Sequence, residues 1–297
     1  MSDKGHIPVL LEEVLEFLDP SRPGVYVDCT VGLAGHSRAI LEKNPRASLI
    51  GLDLDETSLL EARKNLAPFA DRVRLFHSDF RYLPDLDVDF TAVRGVLADL
   101  GISSFQLDSP ERGFSFSHEG PLDMRMDFRN KTTALKIIGQ SSEARLAEIF
   151  REYGELRQAR QLAREIVSRR KVRKIETTTQ LSRIIEEVCR WRPQKGRIHP
   201  SAKAFQALRI EVNQDLTGLS DFIRRVAERT VSGTRLVVIS FHSLEDRIIK
   251  HTFLELAGES GRSCLRILTK KPVMASDQEL ARNPRARSAK LRAAERV

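Results

Sequence analysis

The stretch that decides the reading is Asp28–Leu41, DCTVGLAGHSRAIL. It follows the apolar run Val25-Tyr26-Val27 and passes, through a turn holding Gly32 and Gly35, into an amphipathic helical pattern. Strand, glycine turn and helix make the layout that cradles a nucleotide-like cofactor. Glycine lets the backbone approach a ligand closely, and the first N–H groups of a helix have no partner within it. Yet the string is not G-x-G-x-x-G, and it opens with a carboxylate that a pyrophosphate would repel. The ligand it suits is nucleotide-like without being a dinucleotide.

Outward from this turn, Val25–Cys29, Ser48–Leu54, Arg72–His77 and Gly95–Leu100 are apolar runs ending in polar or turn residues, and each predicts a strand. Helical patterns over 34–43 and 56–66 lie between them, closed by Asn44-Pro45 and Ala67-Pro68. Such alternation implies right-handed crossovers and a parallel sheet covered on both faces. The pattern then breaks. Residues 103–133 read as loop, and 141–216 as helix without strands, with Ser142 and Thr178 as caps and Pro200 in a first turn. Strand signals return at Thr234–Ser240 and Leu265–Thr269. The fold class expected is α/β: one Rossmann-like, doubly wound, mostly parallel domain built from 1–105 and 216–297, with an all-helical domain, 106–215, inserted at the carboxyl end of the fourth strand.

Of 297 residues, 41% are hydrophobic, enough for a proper core, and 30% are charged with both signs mixed. No run of about 18 apolar residues spans a bilayer, and the first residues lack the pattern of a signal peptide. The expectation is a cytoplasmic chain without membrane attachment. Cys29, Cys189 and Cys264 are far apart and form no C-x-x-C, and the histidines show no H-E-x-x-H, so neither a disulfide framework nor a metal site is expected. The net charge of +8 is concentrated: residues 156–174 carry eight Lys/Arg against Glu165, and residues 262–297 carry ten against Asp277, Glu279 and Glu295. One such cluster is as readily a solvated helix face; two point to a polyanion such as nucleic acid.

Asp28, Asp53, Asp79 and Asp99 fall at the ends of four successive strands, which a parallel sheet gathers along one edge. Crowded carboxylates repel unless donors or a cation share the space. S-adenosylmethionine fits: it lacks phosphate, carries a sulfonium and an ammonium, and offers ribose hydroxyls and an adenine amine as donors. Asp53 is then placed for the ribose hydroxyls, Asp79 and Phe80 for the adenine, and Asp99 near the reactive methyl. A lone Asp in such a place more often caps a helix, as Asp55 is expected to do. A nicotinamide-dependent dehydrogenase would share the turn and Asp53 but not tolerate Asp28.

The segment after the fourth strand, VLADLGISSFQLDSPERGFSF, suits methyl transfer to an exocyclic base amine. The lone pair of that nitrogen is delocalised, so a site must accept hydrogen bonds from the NH₂; Asp99 and the carbonyls of Leu100 to Ile102 are the candidate acceptors. Phe105, Phe114 and Phe116 are candidates for stacking on a flipped base, or equally for pinning the loop to the core.

HIPVLLEEVL, DCTVGLAGHS, DLGISSFQLD, RGFSF, GPLDMRMD, VISFHSLEDR and NPRARSAKLR, in that order from His6 almost to the end, resemble the bacterial 16S ribosomal RNA (cytosine-N4)-methyltransferase family. The resemblance implies a Rossmann-like S-adenosylmethionine domain with a helical insert, methylation of the N4 of a cytidine in the decoding region, and 16S rRNA of the small ribosomal subunit as partner. The basic insert and the basic tail are then the parts expected to hold it by its phosphates. By position it implies cofactor contacts at Ala34, Gly35, His36, Asp53, Phe80, Asp99 and Gln106, which leaves Asp79 outside the set. Ala34 stands where relatives often have glycine. The loop after Asp99 lacks the Pro-Pro-aromatic of DNA amino-methyltransferases, which weakens that alternative. A non-catalytic RNA-binding or ribosome-assembly protein would keep the basic clusters and need no cofactor residues. In VISFHSLEDR, a Ser–His nucleophile is not supported, since no G-x-S-x-G turn is present. His242 or Ser243 is better placed to shape the base pocket, with His242 a second catalytic candidate after Asp99. The oligomeric state stays open, a homodimer included.

Overall fold

The computed structural model describes residues 7–194, 198–259 and 263–297. Seven strands form one sheet: β1 (Gly24–Asp28), β2 (Ala47–Asp53), β3 (Val73–His77), β4 (Val93–Asp99), β5 (Arg235–Ser240), β6 (Leu265–Ile267) and β7 (Lys290–Arg296), in the order β3-β2-β1-β4-β5-β7-β6. β1 to β5 are parallel, and β7 runs against both β5 and β6. The chain leaves β1 for β2 on one side and reaches β4 on the other. The strand order therefore reverses at β1, and the crevice between the carboxyl ends of β1 and β4 is where such sheets take ligands. The Rossmann-like α/β class expected from the sequence is the class observed.

The chain divides into two compact units, residues 1–101 with 216–297, and residues 102–215. In the first, neighbouring strand residues face opposite ways. Tyr26, Leu49, Leu97 and Val237 join a core with α1 (Leu11–Leu18) and α2 (Gly35–Lys43), where α3 (Glu56–Asn65) adds Ala62. Val27, Ile50, Val96 and Val238 join another with α10 (Leu219–Arg229) and α11 (Ser243–Leu254). Both faces are buried, which is why these strands read as continuous apolar runs.

One strand departs from the reading of the sequence. β7 lies in what looked like a basic tail. Its middle residues Ala293 and Ala294 are small and fully buried, and its charges are spent inside the unit. Arg292 Nε donates to Asp246 Oδ1 at 2.6 Å, Arg296 donates to the Cys264 carbonyl, and Glu295 pairs with Arg235. Burial opposes ionisation of Asp246, but the Arg292 bond and the nearby Arg292 and Lys290 charges outweigh it and hold the carboxyl below its usual range. Lys290, Arg292 and Arg296 of the second basic cluster are thus structural.

The helical unit contains α4 (Ser104–Asp108), α5 (Ala134–Gln140), α6 (Glu143–Glu152), α7 (Ala159–Val172), α8 (Thr178–Cys189) and α9 (Pro200–Asn213). Leu146, Phe150, Leu162, Ile166, Leu181, Ile185 and Leu208 make its core. Ser142 caps α6 and Pro200 opens α9 as expected, but α8 is capped by Thr177, one residue before Thr178, in a capping box with Gln180. The presumed loop 103–133 also holds helix α4, started by a Ser103–Gln106 capping box. Among the described residues no helix is long and apolar enough to cross a membrane. The last helix, α12 (Asp277–Arg282), belongs to the first unit.

Candidate active site

The glycine turn is held from below by the acids that flank it. Asp28, at the end of β1, is 1% exposed; its Oδ1 accepts from Thr30 N–H and its Oδ2 from Ser37 Oγ at 2.6 Å. It tethers the turn to α2 and has no surface to offer a ligand, so its effect on one is through its charge. Asp53, at the end of β2, accepts from Gly32 N–H at 2.7 Å through Oδ2 and from Asp55 N–H at 2.8 Å through Oδ1. Each oxygen keeps a second lone pair, and Asp53 remains part-exposed at the crevice. Burial pushes the carboxyls of Asp28 and Asp53 up to about 6.

Asp99 closes β4. Its N–H donates to Thr30 Oγ1 at 2.7 Å, which fixes the strand end against the turn. Its carboxyl is driven well above the usual range by burial and then by the charges of Asp28 and Glu245. Oδ1 is buried without a hydrogen-bond partner among the described residues, a costly state unless something else uses the lone pairs. Across from it, His36 Nδ1 lies 3.7 Å from Asp99 Oδ2. His36 is buried, its Nε2 is 2.9 Å from the Val9 carbonyl, and burial lowers its pKa to about 4, so the ring is neutral near pH 7.

The structure therefore brings Ala34, Gly35, His36, Asp53 and Asp99 to one edge of the sheet. Ala34 caps α2 with φ 67°, and Gly35 begins the helix. Phe80 stands after β3, its ring edge-on to Phe222 at 4.9 Å. Asp79 is not available to an adenine amine: Arg81 engages both its oxygens, and Arg81 N–H takes Oδ1 as well. Gln106 lies in the helical unit, where its Oε1 accepts from Ser103 N–H. Of the aromatic candidates, Phe114 is a core residue of that unit and Phe116 stacks on His199 at 4.9 Å, so both have packing roles; Phe105 is half-buried.

Two contributors were missed. Glu245 is 1% exposed, and its Oε2 accepts from Phe241 and His242 N–H while its charge bears on Asp99. Its spacing from His242, three residues, is the capping-box spacing, and that was the signal. His242 is the N-cap of α11, with Nδ1 accepting from Glu245 N–H; Nε2 sits 3.0 Å from Glu245 Oε1 in an orientation that makes no hydrogen bond. The other is Pro8. A Cβ on Gly35 would come within 2.4 Å of Pro8 Cγ, so glycine there serves close packing of the chain's first segment.

A crevice with buried acids, one of them unpaired, beside a glycine turn and a neutral histidine can bind a cationic, donor-rich ligand and accept from an amine. Comparison with known proteins bears on which. The family model described as the MraW methylase family matches residues 3–297. The chain belongs to that family. Among its relatives, the protein named ribosomal RNA small subunit methyltransferase H from Nostoc sp. strain PCC 7120 is 46% identical over 98% of this chain and 93% of its own. Proteins of the same name from Nitratidesulfovibrio vulgaris strain DP4 and Trichodesmium erythraeum are 47% and 44% identical, over 99% of this chain and 96% and 99% of theirs. Membership in a methylase family is thus carried by nearly the whole length, helical unit included.

Proposed function

We propose that the chain is an S-adenosylmethionine-dependent methyltransferase acting in the cytoplasm on the N4 amine of a cytidine in the decoding region of 16S rRNA. The observation that carries the reading is the unpaired Asp99 Oδ1, buried among acids at the end of β4 beside the glycine turn. An enzyme that methylates an amine needs an acceptor there, and the crowd of carboxylates calls for a cation. S-adenosylmethionine supplies a methyl group on a positively charged sulfur, open to direct in-line attack by the amine.

The chain's own residues then divide the work. The backbone at Ala34, Gly35 and His36 opens α2 and takes the carboxylate of the methionyl part. Asp53 takes the ribose hydroxyls with its remaining lone pairs, and Phe80 gives the adenine an apolar wall. The resemblance adds Gln106 to this set. Asp99 Oδ1 accepts from the N4 amine, drawing its nitrogen toward tetrahedral geometry and fixing its direction. The ring of His242 is committed to capping α11, so it shapes the site and is the lesser catalytic candidate. The proton leaves a methylated ammonium that is acidic enough to lose it to water. Basic side chains of the helical unit hold rRNA by its phosphates, which positions the substrate without reading its sequence.

Two measurements test this. Calorimetry should show S-adenosylhomocysteine binding and no NAD binding. Mass spectrometry of small-subunit rRNA should show one N4-methyl mark lost on deletion of the gene and restored by the purified chain. Binding of NAD alone, or of neither ligand, would remove the reading.

A further inference from the structure

The segment Ile7–Leu10 is held on two sides. On one, Pro8 fills the space a side chain at position 35 would need, and the Val9 carbonyl meets His36 Nε2 at 2.9 Å. On the other, Leu10 N–H donates to Glu279 Oε1 at 2.7 Å, and Asn283 Nδ2 donates to the Ile7 carbonyl at 3.1 Å. Those partners are 269 and 276 residues away in sequence, at either end of α12. Asn283 is buried, as a polar side chain with a fixed task would be. Nothing in the assigned function uses these contacts.

Their effect falls on one nitrogen. A carbonyl can only accept, so the Val9 oxygen requires the proton of neutral His36 to sit on Nε2. Nδ1 is then a lone pair, and it is the nitrogen that faces Asp99. In the other tautomer Nδ1–H would point at Asp99 Oδ2, 3.7 Å away, and compete with an amine on Oδ1 for the negative charge of the same carboxylate. We propose that Glu279 and Asn283 are positioning residues: by clamping Ile7–Leu10 they fix His36 in its Nε2–H form and so keep a histidine N–H from facing the Asp99 carboxylate that the substrate uses. This rests on the function proposed above, in which Asp99 takes the amine. The low basicity that burial gives His36 agrees with a ring that stays neutral throughout.

The first test needs no variant. Long-range ¹H–¹⁵N correlation spectra of the full, ligand-free chain should show His36 as the Nε2–H tautomer alone; the Nδ1–H form would overturn the proposal. Next, Glu279→Ala and Asn283→Ala should yield a mixture of tautomers and lower kcat on small-subunit rRNA about tenfold, the effect of one ordinary hydrogen bond, with KM for RNA unchanged. Glu279→Gln keeps an oxygen for Leu10 N–H and should restore both the single tautomer and the rate. Folded alanine variants with the wild-type tautomer and rate would refute the clamp; if those variants do not fold, the wild-type spectrum and Glu279→Gln decide. The two readings fail separately. A chain that shows the tautomer switch yet binds no S-adenosylhomocysteine keeps the clamp and loses the function. One that binds it with Nδ1–H on His36 does the reverse.

Discussion

Asp53 is the side chain whose replacement separates turn from ligand most sharply. In Asp53→Asn the side chain keeps one acceptor oxygen but must satisfy two N–H donors, from Gly32 at 2.7 Å and Asp55 at 2.8 Å. The amide NH₂ then faces one of them, donor to donor. Losing one charge-assisted bond and stranding a backbone N–H costs about 2–3 kcal/mol of stability. The ribose hydroxyls lose a charged acceptor as well, worth a further 1.5–3 kcal/mol, so S-adenosylhomocysteine affinity should fall roughly a hundredfold. RNA affinity should stay within about twofold, since a hydrogen-bond defect at the turn removes no phosphate contact. Calorimetry for the ligand, thermal unfolding for the turn and filter binding for RNA give the three readouts. Ligand affinity within threefold of wild type would refute the assignment of Asp53 to the ribose. An equal fall in RNA affinity would mean the substitution disrupts the fold broadly.

Three further outcomes are expected. Arg169 bonds Glu165 and Glu187, and Arg170 donates to the Ile138 and Ser141 carbonyls, whereas Lys171, Arg173 and Lys174 are exposed without a side-chain partner among the described residues. Changing those three to Gln should flatten the slope of log K against log salt by about 2–3, at roughly 0.7–0.9 per phosphate contact, in RNA titrations; an unchanged slope would make this stretch a solvated face. Asp28 and Asp53 ionise at about 6 against 3.8 for an ordinary Asp, so their contribution to stability is fullest below about pH 4 and is lost as pH rises through 6. A cation restores part of it, and thermal shifts should show S-adenosylmethionine gaining on S-adenosylhomocysteine between pH 5 and 7.5; a constant ratio would count against a cationic site. Gly113 has φ 71°, and a Cβ there would lie 2.0 Å from the Pro121 carbonyl oxygen. Gly113→Ala should cost at least about 3 kcal/mol, visible in urea unfolding as early loss of helix signal, and a near-wild-type midpoint would contradict the backbone described.

The parallel strands were legible because burial on both faces leaves unbroken apolar runs, and each begins and ends within two residues of its expected place. β7 was not. KLRAAER carries four charges in seven residues, and only the arrival of Asp246, Arg235 and the Cys264 carbonyl makes them tolerable in a sheet. Such partners are set by tertiary structure and leave no local pattern. In the same way, the sequence marked Asp53 and Asp99 by their places at strand ends. It could not show that Asp79 is consumed by Arg81 or that Asp28 turns inward, since both depend on side-chain directions. Arg169 and Arg170 looked like RNA ligands for the same reason that Arg292 looked like tail: charge was visible, and its partner was not.

β7 lies between β5 and β6, so an interior strand of the sheet is the last described element to be made. During synthesis, β1 to β5 can pair as they emerge, but β6 has nothing to pair with until residues 290–296 leave the ribosome. The helical unit draws on residues 102–215 alone and can condense well before then. Assembly therefore runs from the middle outward, and a nascent chain stalled before residue 290 would hold a finished helical unit and a sheet with an unpaired edge. The segment Ile7–Leu10 waits nearly as long for α12 and Asn283, so a stretch that precedes β1 is seated after most of the sheet.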